Sequence, residues 1–362
     1  MLIAYYAIFI SILLLTLPLA SYKYAGSSNA DSRDYSPLND MSQSGRKAAI
    51  FGGVLIAAVL IVLCINKPEG IADREMYQMM FDMGGADNLN RDLEPSFGLL
   101  VQIAPTFLAL LGIYAFLSVS SHVIGIFKNS PNIWLSLVTY ISYTFILHDM
   151  IQMRAGVAIG LMLIAVRFIY ERKWILYFSF AAIATYFHYS AMVFFFFYFL
   201  PGKYLNRWIW SAALILATVF GLMNTQIGFI AKFIPLEIVQ NYLENYVGNK
   251  TYEAAMIGPA RIFKVLCAIL MLFNQNTIKK RYPLCIPVLI FFMTSQISYL
   301  LFSDIPVLQG RFGEMFAAFD IFALAMFPLI SKKYYYLLFI VPIGLAIYQN
   351  ISALDLLLTD VR

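Results

Sequence analysis

The stretch WILYFSFAAIATYFHYSAMVFFFFYFL, residues 174–200, decides how this chain is threaded. Its 27 residues are too few for two full membrane spans and long for one, since an apolar helix crosses a bilayer in about 17–25 residues. The polar interruption Phe187-His188-Tyr189-Ser190 stands in its middle. Read as one span, the stretch sends every later loop to the opposite side; read as a helical hairpin turning at His188, it does not. Basic residues choose between the two, because Lys and Arg of short loops collect on the cytoplasmic side. With the hairpin, Arg46-Lys47, Lys128, Arg172-Lys173, Lys203 with Arg207, Lys279-Lys280-Arg281 and Lys332-Lys333 all fall inside. With a single span the 279–281 cluster lands outside. The charges support the hairpin.

Under that threading the inner segments carry 15 basic and 4 acidic residues, the outer ones 10 and 16, in keeping with the formal net charge of +5. Composition explains why a membrane is involved at all. Of 362 residues, 61% are hydrophobic and 12% charged, and mean hydropathy is +0.75. A soluble domain carries about a quarter charged residues because its surface faces water. The expected fold is an all-α polytopic membrane protein, with residues 1–362 as a single transmembrane helical domain. Apolar runs near 1–22, 48–65, 97–127, 131–148, 152–170, 208–223, 259–275, 283–303, 312–330 and 334–351 supply about 10 full spans, and the hairpin brings the total to 12 segments. Residues 97–127 are longer than one span needs and contain Pro105 and Gly112, which predicts a broken helix or an interfacial helix followed by a span. The apolar start, Met1 to Leu19, lacks a basic leader and reads as an uncleaved first span. The outer loops, about 66–96 and 224–258, do not resemble separate folded domains. Both chain ends fall outside.

Several function classes are excluded early. Basic residues are scattered between apolar spans, so no nucleic-acid partner is expected. Cys64, Cys267 and Cys285 sit inside apolar stretches with no metal-type spacing, and they read as small buried hydrophobes. There is no Walker motif, paired-cysteine set or HExxH sequence. No metal and no cofactor is expected.

With the sides assigned, the polar residues that packing explains poorly lie at or near the outer face. They are Asp73, Arg74, Glu94, His148, Asp149, Gln152, Arg154, His188, Arg261, Lys264, Arg311 and Glu314. Any one of them can snorkel to water; the set is harder to dismiss. Inward-running spans begin at this face after Glu94-Pro95, Gln152, Gly258-Pro259 and Gly310, and three of them carry an arginine in or near the first turn: Arg154, Arg261 and Arg311. A cation there opposes the helix dipole. A bound polyanion would reward both, through the free N–H groups of the helix start and the guanidinium fork. These arginines, with Gln152 nearby, are the candidate binding residues for an outward-facing anion, most naturally a diphosphate. Arg311 and Glu314, spaced i, i+3, share a helix face and read as a local ion pair or as catalytic groups. Asp320 lies deeper, where an ionisable side chain is costly. An enzyme built this way, without nucleotide hydrolysis, needs a substrate that carries its own activation energy.

At these residues the sequence resembles the EpsG/Wzy-type family of polysaccharide (O-antigen) polymerases. Four stretches over about residues 73–315 carry the likeness: Asp73 to Tyr77 (DREMY); Glu94-Pro95-Ser96-Phe97; HDMIQMRAGVAIGLMLIAVRFIYERKW at 148–174, continuing into TYFHYSAMVFFFFYF at 185–199; and Gln309-Gly310-Arg311-Phe312. One departure is Ala155, which follows Arg154 where a glutamine is common.

The resemblance implies a glycosyltransferase with a GT-C-like fold, multi-pass in the bacterial inner membrane, working at the periplasmic face. It would join oligosaccharide repeat units carried on undecaprenyl diphosphate, in the manner of O-antigen and lipopolysaccharide assembly. Such families typically work with a chain-length regulator protein. Arg154 and Arg311, with Arg261 as a third, would hold the donor diphosphate. An acid or histidine among Asp73, Glu94, Asp149, His188 and Glu314 would deprotonate the acceptor hydroxyl, and the sequence does not rank them. The rival readings are an O-antigen ligase, which usually has a larger late outer loop, and a flippase or transporter of lipid-linked sugars, which calls for internal repeats and a polar path across the midplane. Asp320 is the residue that keeps the transporter reading in play.

Overall fold

The structure is a computed structural model that describes residues 2–19, 35–39, 41–71, 73–84, 94–223, 258–303, 305 and 308–358. The described residues form helices and no strands. In order, the α-helices are α1 (Leu2–Leu19), α2 (Gln43–Ile65), α3 (Arg74–Asp82), α4 (Pro95–Ile103), α5 (Phe107–Asn129), α6 (Ile133–Thr139), α7 (Met153–Glu171), α8 (Trp174–Phe187), α9 (Phe194–Phe197), α10 (Arg207–Leu222), α11 (Pro259–Phe273), α12 (Gln275–Lys279), α13 (Cys285–Leu301), α14 (Met315–Ala317), α15 (Asp320–Met326) and α16 (Tyr335–Leu358). The outer loop expected at 224–258 lies outside the described residues except for Gly258.

Among the described residues, four helices are long and apolar enough to cross a membrane: α2, α5, α7 and α16. A fifth candidate is the pair Gln309–Ala317 and Asp320–Ile330, bent by 46° at the break between them. The runs expected at 208–223 and 283–303 appear as the shorter apolar helices α10 and α13. The outward faces fit a lipid surround. Phe51, Val54 and Leu55 of α2, Ile209, Ile215 and Leu216 of α10, and Leu337 and Ile340 of α16 are all exposed. Lipid is a solvent in which such apolar faces cost nothing.

The hairpin is present. α8 ends at Phe187, His188 takes an extended conformation, and the chain returns through a short 3₁₀ turn, Tyr189–Val193, into α9. The two limbs lie side by side. Tyr177 donates a hydrogen bond from its hydroxyl to the Phe194 carbonyl (2.7 Å), and Phe178 stacks on Phe195. At the open end, the Arg172 guanidinium donates to the carbonyls of Tyr198 and Leu200, so the chain leaves the hairpin beside where it entered.

The long 97–127 run breaks as its proline requires. Ala104 is extended, because a residue before proline is pushed out of the helical region. Thr106 then caps α5, accepting from the Ala109 N–H. Gly112 causes no break; α5 runs through it. Around α5 and α7 the packing is close and depends on small residues. A side chain on Gly160 would collide with Ser121, and a Cβ on Gly156 would fall 2.6 Å from the His148 carbonyl oxygen.

Two segments are π-helical: Tyr140–Ile151, which continues α6, and Gln309–Glu314, which precedes α14. Such i→i+5 turns are uncommon and gather at functional sites. Here they overturn one expectation. Arg311 and Glu314 form no ion pair, because in the widened turn residues three apart no longer stack on one face.

Candidate functional site

The first cavity, of about 310 Å³, is lined by residues from four separated parts of the chain. The loop before α3 brings Asp73, and α3 brings Tyr77. The first π segment and its end bring His148 and Gln152. Arg154 and Ala155 come from the first turn of α7, His188 from the hairpin tip, and Gly310 and Arg311 from the second π segment. The sequence-predicted Asp73, Gln152, Arg154, His188 and Arg311 therefore meet around one space.

Glu94 organises this cluster from just behind it. It is 7% exposed and stands immediately before Pro95, the first residue of α4. One carboxylate oxygen is ion-paired with Arg154; the other meets His188 Nδ1 at 2.9 Å. Burial pushes its carboxyl up, but the His188 hydrogen bond and the Arg154 charge outweigh burial and hold it below the ordinary carboxylate range. Arg154 in turn lies over the rings of Tyr77 and Phe97, at 5.3 and 5.7 Å from their centroids. Its guanidinium is thus fixed by an acid and two aromatic faces, and it sits on the N-terminal turn of a 19-residue helix whose free N–H groups favour an anion.

Asp73 is held differently. Its φ of +65° is left-handed, a region that non-glycine residues rarely enter. Around it, the Lys67 ammonium donates to the Met150 carbonyl (2.6 Å) and the Arg74 guanidinium to the Lys67 carbonyl, tying the loop onto the first π segment. Burial raises the Asp73 carboxyl above its usual value, while Arg154 and Lys67 oppose that rise. Strain of this kind persists where the surroundings over-determine it, commonly at a working site. Arg311 is exposed and has no ion pair among the described residues.

Three expected members lie elsewhere. Asp149 is 2% exposed and faces the bundle interior, not the cavity. It accepts from Ser118 and from the Tyr140 hydroxyl (2.5 Å), with His122 Nδ1 at 3.3 Å. In the π segment its neighbour His148 takes the cavity-facing position instead. Arg261 and Glu314 line a second cavity, also of about 310 Å³, formed with Tyr143, Lys264, Tyr299, Gln349 and Ser352. There Tyr143 donates to Glu314 (3.0 Å), and the Arg261 guanidinium lies 3.6 Å over the Tyr299 ring. Asp320 is buried but not alone, since Lys264 pairs with it at 2.5 Å.

The sequence model of the EpsG family matches residues 50–357, which takes in every element of both cavities. The chain belongs to the EpsG family. No curated protein matches the chain, and no solved structure does. Membership points to a polysaccharide polymerase-like, glycosyltransferase-type activity in general, and the apolar helices make this EpsG-family chain a multi-pass membrane protein.

The four stretches that carried the resemblance supply Asp73 and Tyr77, Glu94 and Phe97, Arg154 with His188, and Arg311. All of these line the first cavity or touch a residue that does. Sequence reasoning missed Tyr77 as a site residue, although it stood inside a quoted motif. It also missed Ser118, His122 and Tyr140, which absorb Asp149. The signal available for two of these was the polar run Ser118 to His122 inside an otherwise apolar helix. Among the described residues, no three His, Cys, Asp or Glu side chains gather as a metal site would.

Proposed function

We propose that this EpsG-family chain is a polysaccharide polymerase of the O-antigen type. It joins oligosaccharide repeat units carried on undecaprenyl diphosphate, on the periplasmic side of the bacterial inner membrane, within a GT-C-like fold. The observation that carries this reading is the meeting of Arg154, Arg311, Asp73, His188 and Gln152 around one cavity at the start of α7.

Each group has a task in that chemistry. Arg154, pre-aimed by Glu94 and its aromatic faces, grips the diphosphate oxygens together with Arg311 and the N–H groups at the α7 start. The carboxylate of Asp73 takes the proton of the acceptor hydroxyl, and that oxygen attacks the anomeric carbon of the donor sugar. The bond from that carbon to the diphosphate breaks, and its electron pair leaves with the diphosphate, where the guanidinium groups stabilise it. His188 shares Glu94 with Arg154 and so sets the position of the cation. Glu94 does not line the cavity, and its two oxygens hold Arg154 and His188, so it is given the positioning role. Asp149 and Glu314 do not reach the cavity.

Replacing Arg154 or Arg311 with alanine should lower polymer formation by about 100-fold or more, the cost of losing one well-placed oxyanion donor. On a gel, the long polysaccharide ladder should collapse to single repeat units. A ladder of unchanged length in a stably expressed R154A or R311A strain would sink the proposal. Loss of all surface sugar, the single unit included, would instead indicate a ligase or a flippase.

A further inference from the structure

The second cavity shares two walls with the first. The first π segment gives Tyr143 to one cavity and His148 to the other, five residues and so one π turn apart. The second π segment does the same with Glu314 and Arg311. α11, α13 and α16 close the far side through Arg261, Tyr299 and Gln349.

The chemistry of this space differs from that of the first. Lys264 is neutralised by Asp320, and Arg261 lies on the Tyr299 face with one hydrogen bond to Gln296 (3.2 Å), which leaves it further N–H groups to donate. Gln349 lines the space with a side-chain amide and Glu314 with a carboxylate, an acceptor group that repels an anion. An acceptor calls for a donor, which a bare anion does not bring and a sugar hydroxyl does. Hydroxyl-rich ligands also need acceptors and donors side by side, here the Glu314 carboxylate beside Arg261, against aromatic surface, here Tyr299 and Tyr348.

We infer that the second cavity is a saccharide-binding subsite, which holds a sugar unit of the substrate chain beside the reaction centre through Glu314, Gln349 and Arg261. That the sugar belongs to the substrate rests on the polymerase reading; the preference for a hydroxyl-rich ligand does not.

The test uses the full-length protein in lipid nanodiscs and, as probe, the host strain's own repeat-unit oligosaccharide, freed of lipid and diphosphate. Binding is followed by saturation-transfer NMR and calorimetry. Wild-type protein should bind the probe. Glu314→Gln and Gln349→Leu should each weaken binding at least tenfold, and Arg154→Ala and Arg311→Ala should leave it within about twofold. Ser352→Trp, at the exposed rim where no buried bond is lost, should block binding without lowering thermal stability. The inference is overturned if the wild type does not bind at millimolar probe, if Q349L and S352W bind as the wild type does, or if R311A alone abolishes binding. Should R154A and R311A cells still make full-length polymer while the binding pattern holds, the polymerase reading falls and the saccharide subsite stands.

Discussion

Both oxygens of the Glu94 carboxylate are occupied, one by Arg154 and one by His188, so a change there reaches two cavity residues at once. Glu94→Gln keeps the size and removes the charge, leaving a largely buried guanidinium unpaired. A loss on the order of 3 kcal/mol is expected for breaking such a pair, read as a lowered midpoint in detergent unfolding; an unchanged midpoint would refute the structural role. The sign with pH follows from the depressed carboxyl of Glu94. Its stabilising contribution is complete above its ordinary value of 4.5 and disappears as pH falls through the lower folded value. Asp73 behaves in the opposite sense, because burial raises it above 3.8. If it is the base, activity fails on the acid side at a pH above 3.8, and Asp73→Asn removes that limb together with most of the activity. An acid limb that survives in D73N would assign the base elsewhere.

At the scale of elements, the contact of α5 with α7 and the π segment between α6 and α7 set where Arg154 points. Gly156 allows it: a Cβ there would lie 2.6 Å from the His148 carbonyl oxygen and 3.0 Å from an Asp149 carboxylate oxygen. Gly156→Ala should therefore push α7 off the π segment. Overpacking of this kind costs about 1–3 kcal/mol, and polymer length should fall with it, although no substrate-touching group is altered. Wild-type stability in G156A would show that the π segment yields easily. The same π geometry explains why His148, and not the expected Asp149, meets the cavity. Neighbours on a helix point in different directions, and which one meets the cavity depends on the turn, which the residue types alone do not reveal.

Over the whole molecule, the hairpin at 174–200 determines which ends of the later helices share a face with the start of α7. Single cysteines can test it, since the native Cys64, Cys267 and Cys285 are all buried. Introduced at Tyr189 and at Lys203, both exposed positions, they should react on opposite sides. A membrane-impermeant maleimide should label Y189C in intact spheroplasts and K203C only after lysis. Labelling of both from outside would mean that the stretch is not a re-entering pair.

What the sequence determined by itself was the helical membrane character, the reversal at His188, the break at Pro105 and the motif residues that line the first cavity. These follow from local causes: apolar run length, charge sidedness, proline chemistry and the motif's own spacing. Only the tertiary structure decided that the polar residues expected at the outer face divide between two cavities. Arg261 and Glu314 went to the second and Asp149 to a buried network with Ser118, His122 and Tyr140. Topology places residues on a face of the membrane, but not around it. Position around a bundle is set by helix–helix packing and by the width of each turn, and here two π segments rotate neighbouring side chains into different spaces.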